Sequence, residues 1–140
     1  MRNVAPWMAH EIERQGGAIP FDRYMELALY HQQHGYYASG TPRYGREGDF
    51  LTAPTASEWY PRLVARLLRR LAEGCGRLRL VNVAAGDGSL LAGVLGELGP
   101  ARPSLLAEVV AVERSAAMRA RLEAVLAGAP AMVVAEPSEV

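Results

Sequence analysis

One ten-residue stretch limits the fold more than any other: Val81-Asn82-Val83-Ala84-Ala85-Gly86-Asp87-Gly88-Ser89-Leu90. It begins in a β-rich run, Leu78 to Val83, and passes two glycines that are one residue apart. It then opens a helical pattern, Ser89 to Leu98, in which Leu90, Leu91, Val94, Leu95 and Leu98 share a face. A strand entering a helix through such a bend is the start of a βαβ unit. The rest of the chain continues in that manner. Gly99-Pro100 stops the helix, Glu108 to Glu113 reads as a second strand, Ala116 to Ala127 as a second helix, and Ala131 to Ala135 as a third strand. Strands alternating with helices of about ten residues predict parallel pairing with right-handed crossovers.

The bend also constrains what it holds. A ligand lying against backbone needs residues without a side chain there, because Cβ atoms block its approach. A dinucleotide turn reads Gly-x-Gly-x-x-Gly; counting from Gly86 puts Leu91 at the third glycine, so that fingerprint fails. Asp87 would also set a negative charge beside a pyrophosphate. The absence of Gly-Lys-Ser/Thr excludes a P-loop. S-adenosylmethionine carries no phosphate, and its cationic sulfonium and amino groups accept a neighbouring carboxylate. Glu113 closes the second strand, 25 positions beyond Gly88. An acid there accepts hydrogen bonds from both ribose hydroxyls, the role of the acidic residue in nucleotide-binding βαβ units. The alternative for Glu113 is to cap the helix that follows or simply to be exposed.

Upstream, Val4, Trp7, Met8 and Ile12 predict a helix over 4–15, ended by Gly16-Gly17. A second helix starts near Pro20 to Asp22, with Asp22 as its candidate cap. Gly35 to Gly40 reads as a short extended segment. Residues 40–60 are dense in turn formers, the pattern of a long ordered loop. A third helix, Arg62 to Glu73, is expected to turn Val64, Leu67, Leu68 and Leu71 inward and its arginines to water. The expected division is a helical and loop extension over 1–61, followed by the first half of a Rossmann-like domain over 62–140.

Composition closes off other classes. Fifteen basic residues, all arginine, balance fifteen acids, and the pI is about 6.8. No nucleic-acid footprint or attraction to an anionic membrane follows from that balance. The lone Cys75 forms no intramolecular disulfide and no metal cluster. No stretch reads as a secretory signal or membrane span, so the expectation is a cytoplasmic protein. His31 and His34, three apart near a helix end, lack a third metal ligand.

The segments Phe21-Asp22-Arg23-Tyr24-Met25, His34-Gly35-Tyr36-Tyr37 and Gly45-Arg46-Glu47-Gly48-Asp49-Phe50-Leu51-Thr52-Ala53-Pro54 occur in that order. Together with the glycine turn, they resemble the MidA-like S-adenosylmethionine-dependent methyltransferases. These are bacterial relatives of the mitochondrial arginine methyltransferase that assists complex I assembly. The match runs from about Ile12 to Leu126. The resemblance implies an α/β fold: an N-terminal helical and loop extension, then a partial Rossmann-like (class I methyltransferase) parallel sheet. It implies S-adenosylmethionine as cofactor, held by Gly86, Gly88 and Glu113 with Ala84 and Asp87 in the same turn. It places Gly48-Asp49-Phe50 near that pocket, with Asp49 as a contact. Where the family turn reads Glu-Leu-Gly-Pro-Gly-x-Gly, this chain has Asn82 for the acid and Ala84 for the first glycine. Family members run about as long again, so the expectation is a chain truncated after its third Rossmann strand. Its open sheet edge would then be covered by a protein acceptor, a partner subunit or a second copy. The functional expectation is methyl transfer to a protein side chain such as arginine, and the alternative is a non-catalytic assembly subunit.

Overall fold

A computed structural model of the chain describes residues 5–38, 49 and 52–140. Two compact units form, Met1–Pro42 and Arg43–Val140. In the first, α1 (Pro6–Arg14) and α2 (Phe21–Tyr30) each bury one apolar position, Met8 and Leu27. Pro6 opens α1, where its missing N–H costs nothing. Pro20 is the N-cap of α2; Asp22 lies in the first turn and does not cap it. It still favours the helix there by facing the positive end of the dipole. Trp7 stacks near His31 and His34, whose rings lie 4.7 and 4.9 Å from it. The two histidines therefore serve as packing rings.

The expected extended segment after His34 is instead a chain of turns. The N–H groups of Gly35, Tyr36 and Tyr37 return to the carbonyls of His31, Ala28 and Leu29. This closes the end of α2, and it needs glycine: a Cβ at Gly35 would sit 2.4 Å from the His31 backbone nitrogen. The turn residues after Ala38 that sequence assigns to a long loop lie mostly outside the described residues.

In the second unit a short helix, α3 (Ala53–Ala56), precedes α4 (Trp59–Cys75). Then follow β1 (Leu78–Val83), α5 (Ser89–Leu98), a 3-10 turn (Gly99–Ala101), α6 (Arg102–Leu105), β2 (Leu106–Val112), α7 (Ala116–Val125) and β3 (Met132–Val134). The sheet order is β1-β2-β3 and both pairings are parallel. The register aligns Val83 with Val112 and Val112 with Val134, so all three strands end level. Parallel neighbours require crossovers, which α5 and α7 supply.

The core lies between the sheet and these helices. It joins Leu91, Val94, Leu95 and Leu98 of α5 to Val109 and Ala111 of β2 and to Leu122 of α7. Each such leucine contributes about 1.5–3 kcal/mol by leaving water. Val110, Val112 and Val134 form a second buried cluster, since alternate strand residues face opposite ways. Helix α4 meets expectation at Leu68 and at Val64, which packs against the core, and departs from it at Leu67 and Leu71. Pro61, Ala65 and Leu68 are its buried positions, whereas Leu67 and Leu71 are about half exposed. Small residues were preferred for a close approach to α5. A Cβ on Gly93 of α5 would meet Pro61 side-chain atoms at 2.9 Å. Leu67 and Leu71 lie on the outer side of the helix, while Leu68 stays buried.

Candidate functional site

The parallel strands end together, and the glycine turn leaves from β1 at that level. Three of its five residues from Ala84 to Gly88 adopt left-handed backbone: Ala84 at φ 56°, Gly86 at 61° and Gly88 at 83°. For Ala84 this costs about 1 kcal/mol or more, because its Cβ crowds the following carbonyl. The conformation persists because hydrogen bonds from every side fix it. The Ala85 N–H donates to Val112 O at 3.0 Å, and the Gly88 N–H to Ala85 O at 3.1 Å. The Ser89 N–H donates to Asp87 Oδ1 at 3.0 Å, and the Ser89 hydroxyl donates to the same oxygen. The Gly86 N–H donates to Glu113 Oε2 at 2.8 Å.

The two glycines answer different needs. A Cβ on Gly88 would lie 2.6 Å from Leu122 Cδ1 and 3.6 Å from Val125 Cγ1, so Gly88 lets α7 pack against the start of α5. A Cβ on Gly86 would meet nothing within 4 Å. At Gly86 the turn opens onto space, which suits a ligand laid against the backbone.

Glu113 is the first residue past β2 and is buried, with 8% of its surface exposed. Its N–H donates to Val134 O at 3.0 Å, which ties it to β3. Its carboxylate spans a gap: Oε2 accepts from Gly86 and Oε1 accepts the Ser115 N–H at 2.8 Å. Each carboxylate oxygen has a second lone pair, so one acceptor per oxygen remains for a pair of vicinal hydroxyls. The capping role falls to Ser115, whose hydroxyl accepts the Met118 N–H at the start of α7.

Gly86, Gly88, Glu113, Ala84 and Asp87 are thus brought together at one end of the sheet. Asp49 sits at an exposed bend, and its expected neighbours Gly48 and Phe50 lie outside the described residues. Sequence reasoning passed over two contributors. Ser115 was legible as an N-cap two residues after the acid. Arg119, half-buried on α7, donates from Nη1 to Glu113 O at 2.8 Å and to Arg114 O at 2.7 Å. Nothing in its spacing announces that. Among the described residues no group of three or more His, Cys, Asp or Glu side chains is placed to hold a metal.

A parallel α/β sheet with a glycine turn after its first strand and a buried acid after its second defines a partial Rossmann-like unit of the nucleoside-binding kind. Comparison with known proteins sharpens this class. Over 96 residues, 69% of its length, the chain is 35% identical to the protein arginine methyltransferase NDUFAF7 homolog, mitochondrial, of Drosophila melanogaster. The chain spans 19% of that relative. A crystal structure of a COG1565 superfamily member from Burkholderia thailandensis, bound to S-adenosyl-homocysteine, superposes with a TM-score of 0.75 at 31% identity. It covers 95% of this chain, which matches 40% of that protein. A native crystal structure of an uncharacterized COG1565 superfamily protein from the same organism gives 0.71 at 29% identity, over 97% of this chain and 38% of the other. No family model matches the chain. Over the matched part the chain is similar in sequence and fold to the MidA-like family of S-adenosylmethionine-dependent methyltransferases. The fly relative is mitochondrial by name, whereas the sequence expectation is a cytoplasmic protein. Among the described residues no helix is long and apolar enough to cross a membrane.

Proposed function

We propose that this chain carries the cofactor-binding half of a methyltransferase that uses S-adenosylmethionine and acts on a protein side chain, arginine in the first instance. The observation that carries the reading is the Glu113 carboxylate, buried at the strand ends, bonded to the Gly86 N–H and still able to accept. The open space at Gly86 fits a ligand backbone beside it. Charge supports the choice of cofactor. A phosphate-binding turn offers unspent N–H groups to an anion. Here the N–H groups of Ala85, Gly86, Gly88 and Ser89 all donate within the protein, and Asp87 occupies the entrance of α5. A second anion there would face repulsion and few donors, while a sulfonium faces neither problem.

When bound, the cofactor supplies a methyl group activated for in-line displacement. What the chain contributes is position: Glu113 orients the ribose, and the fixed turn holds the nucleoside against the strand ends. The arginine acceptor rests on the name of the fly relative. A partner or a second copy beside β1 agrees with that strand's place at the sheet edge, where Val81 and Val83 are 38% and 60% exposed. Calorimetric titration with S-adenosylmethionine and S-adenosylhomocysteine tests the reading. Micromolar binding that Glu113→Ala abolishes is expected, with no binding of NADH. A folded chain that binds neither nucleoside at millimolar concentration defeats it.

A further inference from the structure

We infer that Arg119 is a positioning residue of this cofactor site: its guanidinium fixes the exit of β2 so that the Glu113 carboxylate stays pointed at Gly86. This rests on the cofactor reading above. The stretch Glu113–Ser115 joins the last residue of β2 to the first turn of α7 and lies beyond the β1–β2 ladder, which ends at Val83 and Val112. The carbonyls of Glu113 and Arg114 both accept from Arg119 Nη1, at 2.8 and 2.7 Å. Nη1 carries two hydrogens in the guanidinium plane, so one nitrogen serves two successive carbonyls in a single orientation.

The remaining bonds of Glu113 are thereby set in a frame. Its N–H is held by Val134 O, its carbonyl by Arg119, and its carboxylate lies between Gly86 and Ser115. Rotation of the Glu113 peptide would swing the side chain off Gly86 and take the ribose acceptors with it. Arg119 acts on the backbone of Glu113, and no ion pair between the two side chains occurs among the described residues. A lysine offers a point charge in place of the planar fork and holds the two carbonyls less firmly.

The test uses the whole chain as wild type, Arg119→Met and Arg119→Lys. Affinities for S-adenosylhomocysteine and for its 2′-deoxy analogue are measured by calorimetry, and amide hydrogen exchange is followed at Gly86 and Ser115. In the wild type, loss of one hydroxyl bonded to a charged group is expected to weaken binding by about tenfold or more. Arg119→Met is expected to weaken S-adenosylhomocysteine by roughly tenfold, as removal of an outer support does. It should weaken the 2′-deoxy analogue less, so that the ratio between the two ligands shrinks, with Arg119→Lys in between. Exchange at Gly86 and Ser115 should quicken in parallel. An Arg119→Met protein with the wild-type ligand ratio, or with unchanged Gly86 exchange, overturns the inference. If the wild type binds neither ligand, the cofactor reading fails by itself, and exchange at Gly86 then decides the role of Arg119. If the methionine variant does not fold, the lysine variant carries both measurements.

Discussion

Replacing each turn glycine by alanine separates what the fold needs from what the ligand needs. At Gly88 two costs add. The left-handed φ of 83° costs alanine about 1–2 kcal/mol. The new methyl would also lie 2.6 Å from Leu122 Cδ1, and Leu122 has no exposed surface onto which to retreat. Overpacking of that kind costs about 1–3 kcal/mol. The stiffer unfolded chain offsets about 0.4–1 kcal/mol of this. Gly88→Ala should therefore lose about 2–4 kcal/mol, a fall in Tm of roughly 8–15 °C for a chain of this size. At Gly86 the φ of 61° carries the same backbone cost, but the methyl meets nothing within 4 Å. Its net loss should be about 1 kcal/mol or less. The affinity for S-adenosylhomocysteine should instead fall at least tenfold, because the methyl fills the space left for the ligand. Urea denaturation followed by circular dichroism, paired with calorimetry, reads both effects. The reasoning is refuted if Gly86→Ala unfolds as readily as Gly88→Ala, or if Gly88→Ala stays within about 0.5 kcal/mol of wild type.

Ala84→Gly should raise the urea midpoint or leave it unchanged, since relief of the 56° φ offsets the greater freedom of glycine when unfolded. A loss above about 1 kcal/mol would show that the alanine is not strained. Gly96→Ala, inside α5 with open space at its Cβ, should stabilise by about 0.5–1 kcal/mol in the same assay; a destabilised variant would contradict that open space. Glu11 has its pKa held near 2, first by hydrogen bonds from Arg14 and then by one from Gln15. Because the folded pKa lies below the usual 4.5, the contribution of this clasp is full above 4.5 and is lost as pH falls through about 2. An NMR titration of the Glu11 side chain with a midpoint near 4.5 would refute it.

The fold was legible where periodicity and punctuation agreed. Leu78–Val83 and Ser89–Leu98 are bounded in the structure as the pattern predicts, because a β-rich run meets a glycine turn and an apolar helix face is closed by Gly99-Pro100. The second strand starts earlier, at Leu106, since pairing with Leu78 extends a ladder that propensity does not mark. The inward face of α4 was read correctly at Val64 and Leu68 and missed at Leu67 and Leu71, for a different reason. Counting large apolar residues favours Leu67 and Leu71, but the packing distance to α5 was set by Pro61, Ala65 and Gly93. Residue size at the contact outweighed hydrophobicity, and pattern alone does not supply the distance. Likewise, Gly35 reads as the edge of an extended segment until its contact with the His31 backbone is known.

The candidate site could be named in sequence by its residues but not by its wiring. Gly86, Gly88 and Glu113 are chosen by residue type at a fixed place in a βαβ unit, so sequence can point to them. The bond from the Gly86 N–H to Glu113 depends on β1 and β2 ending level, a property of register. Arg119 is less visible still. Its partners are two backbone carbonyls, which every residue has, and an arginine on a half-exposed helix face is ordinarily a solvated charge. Asp87 shows the reverse case, in which a local rule sufficed. A carboxylate two residues before Ser89 is within reach of that N–H by short-range geometry alone, and it occupies the α5 entrance that a phosphate would need. The feature that disfavours a phosphate at the turn is thus written locally, while the aim of the Glu113 carboxylate, the proposed ribose acceptor, is written in tertiary contacts.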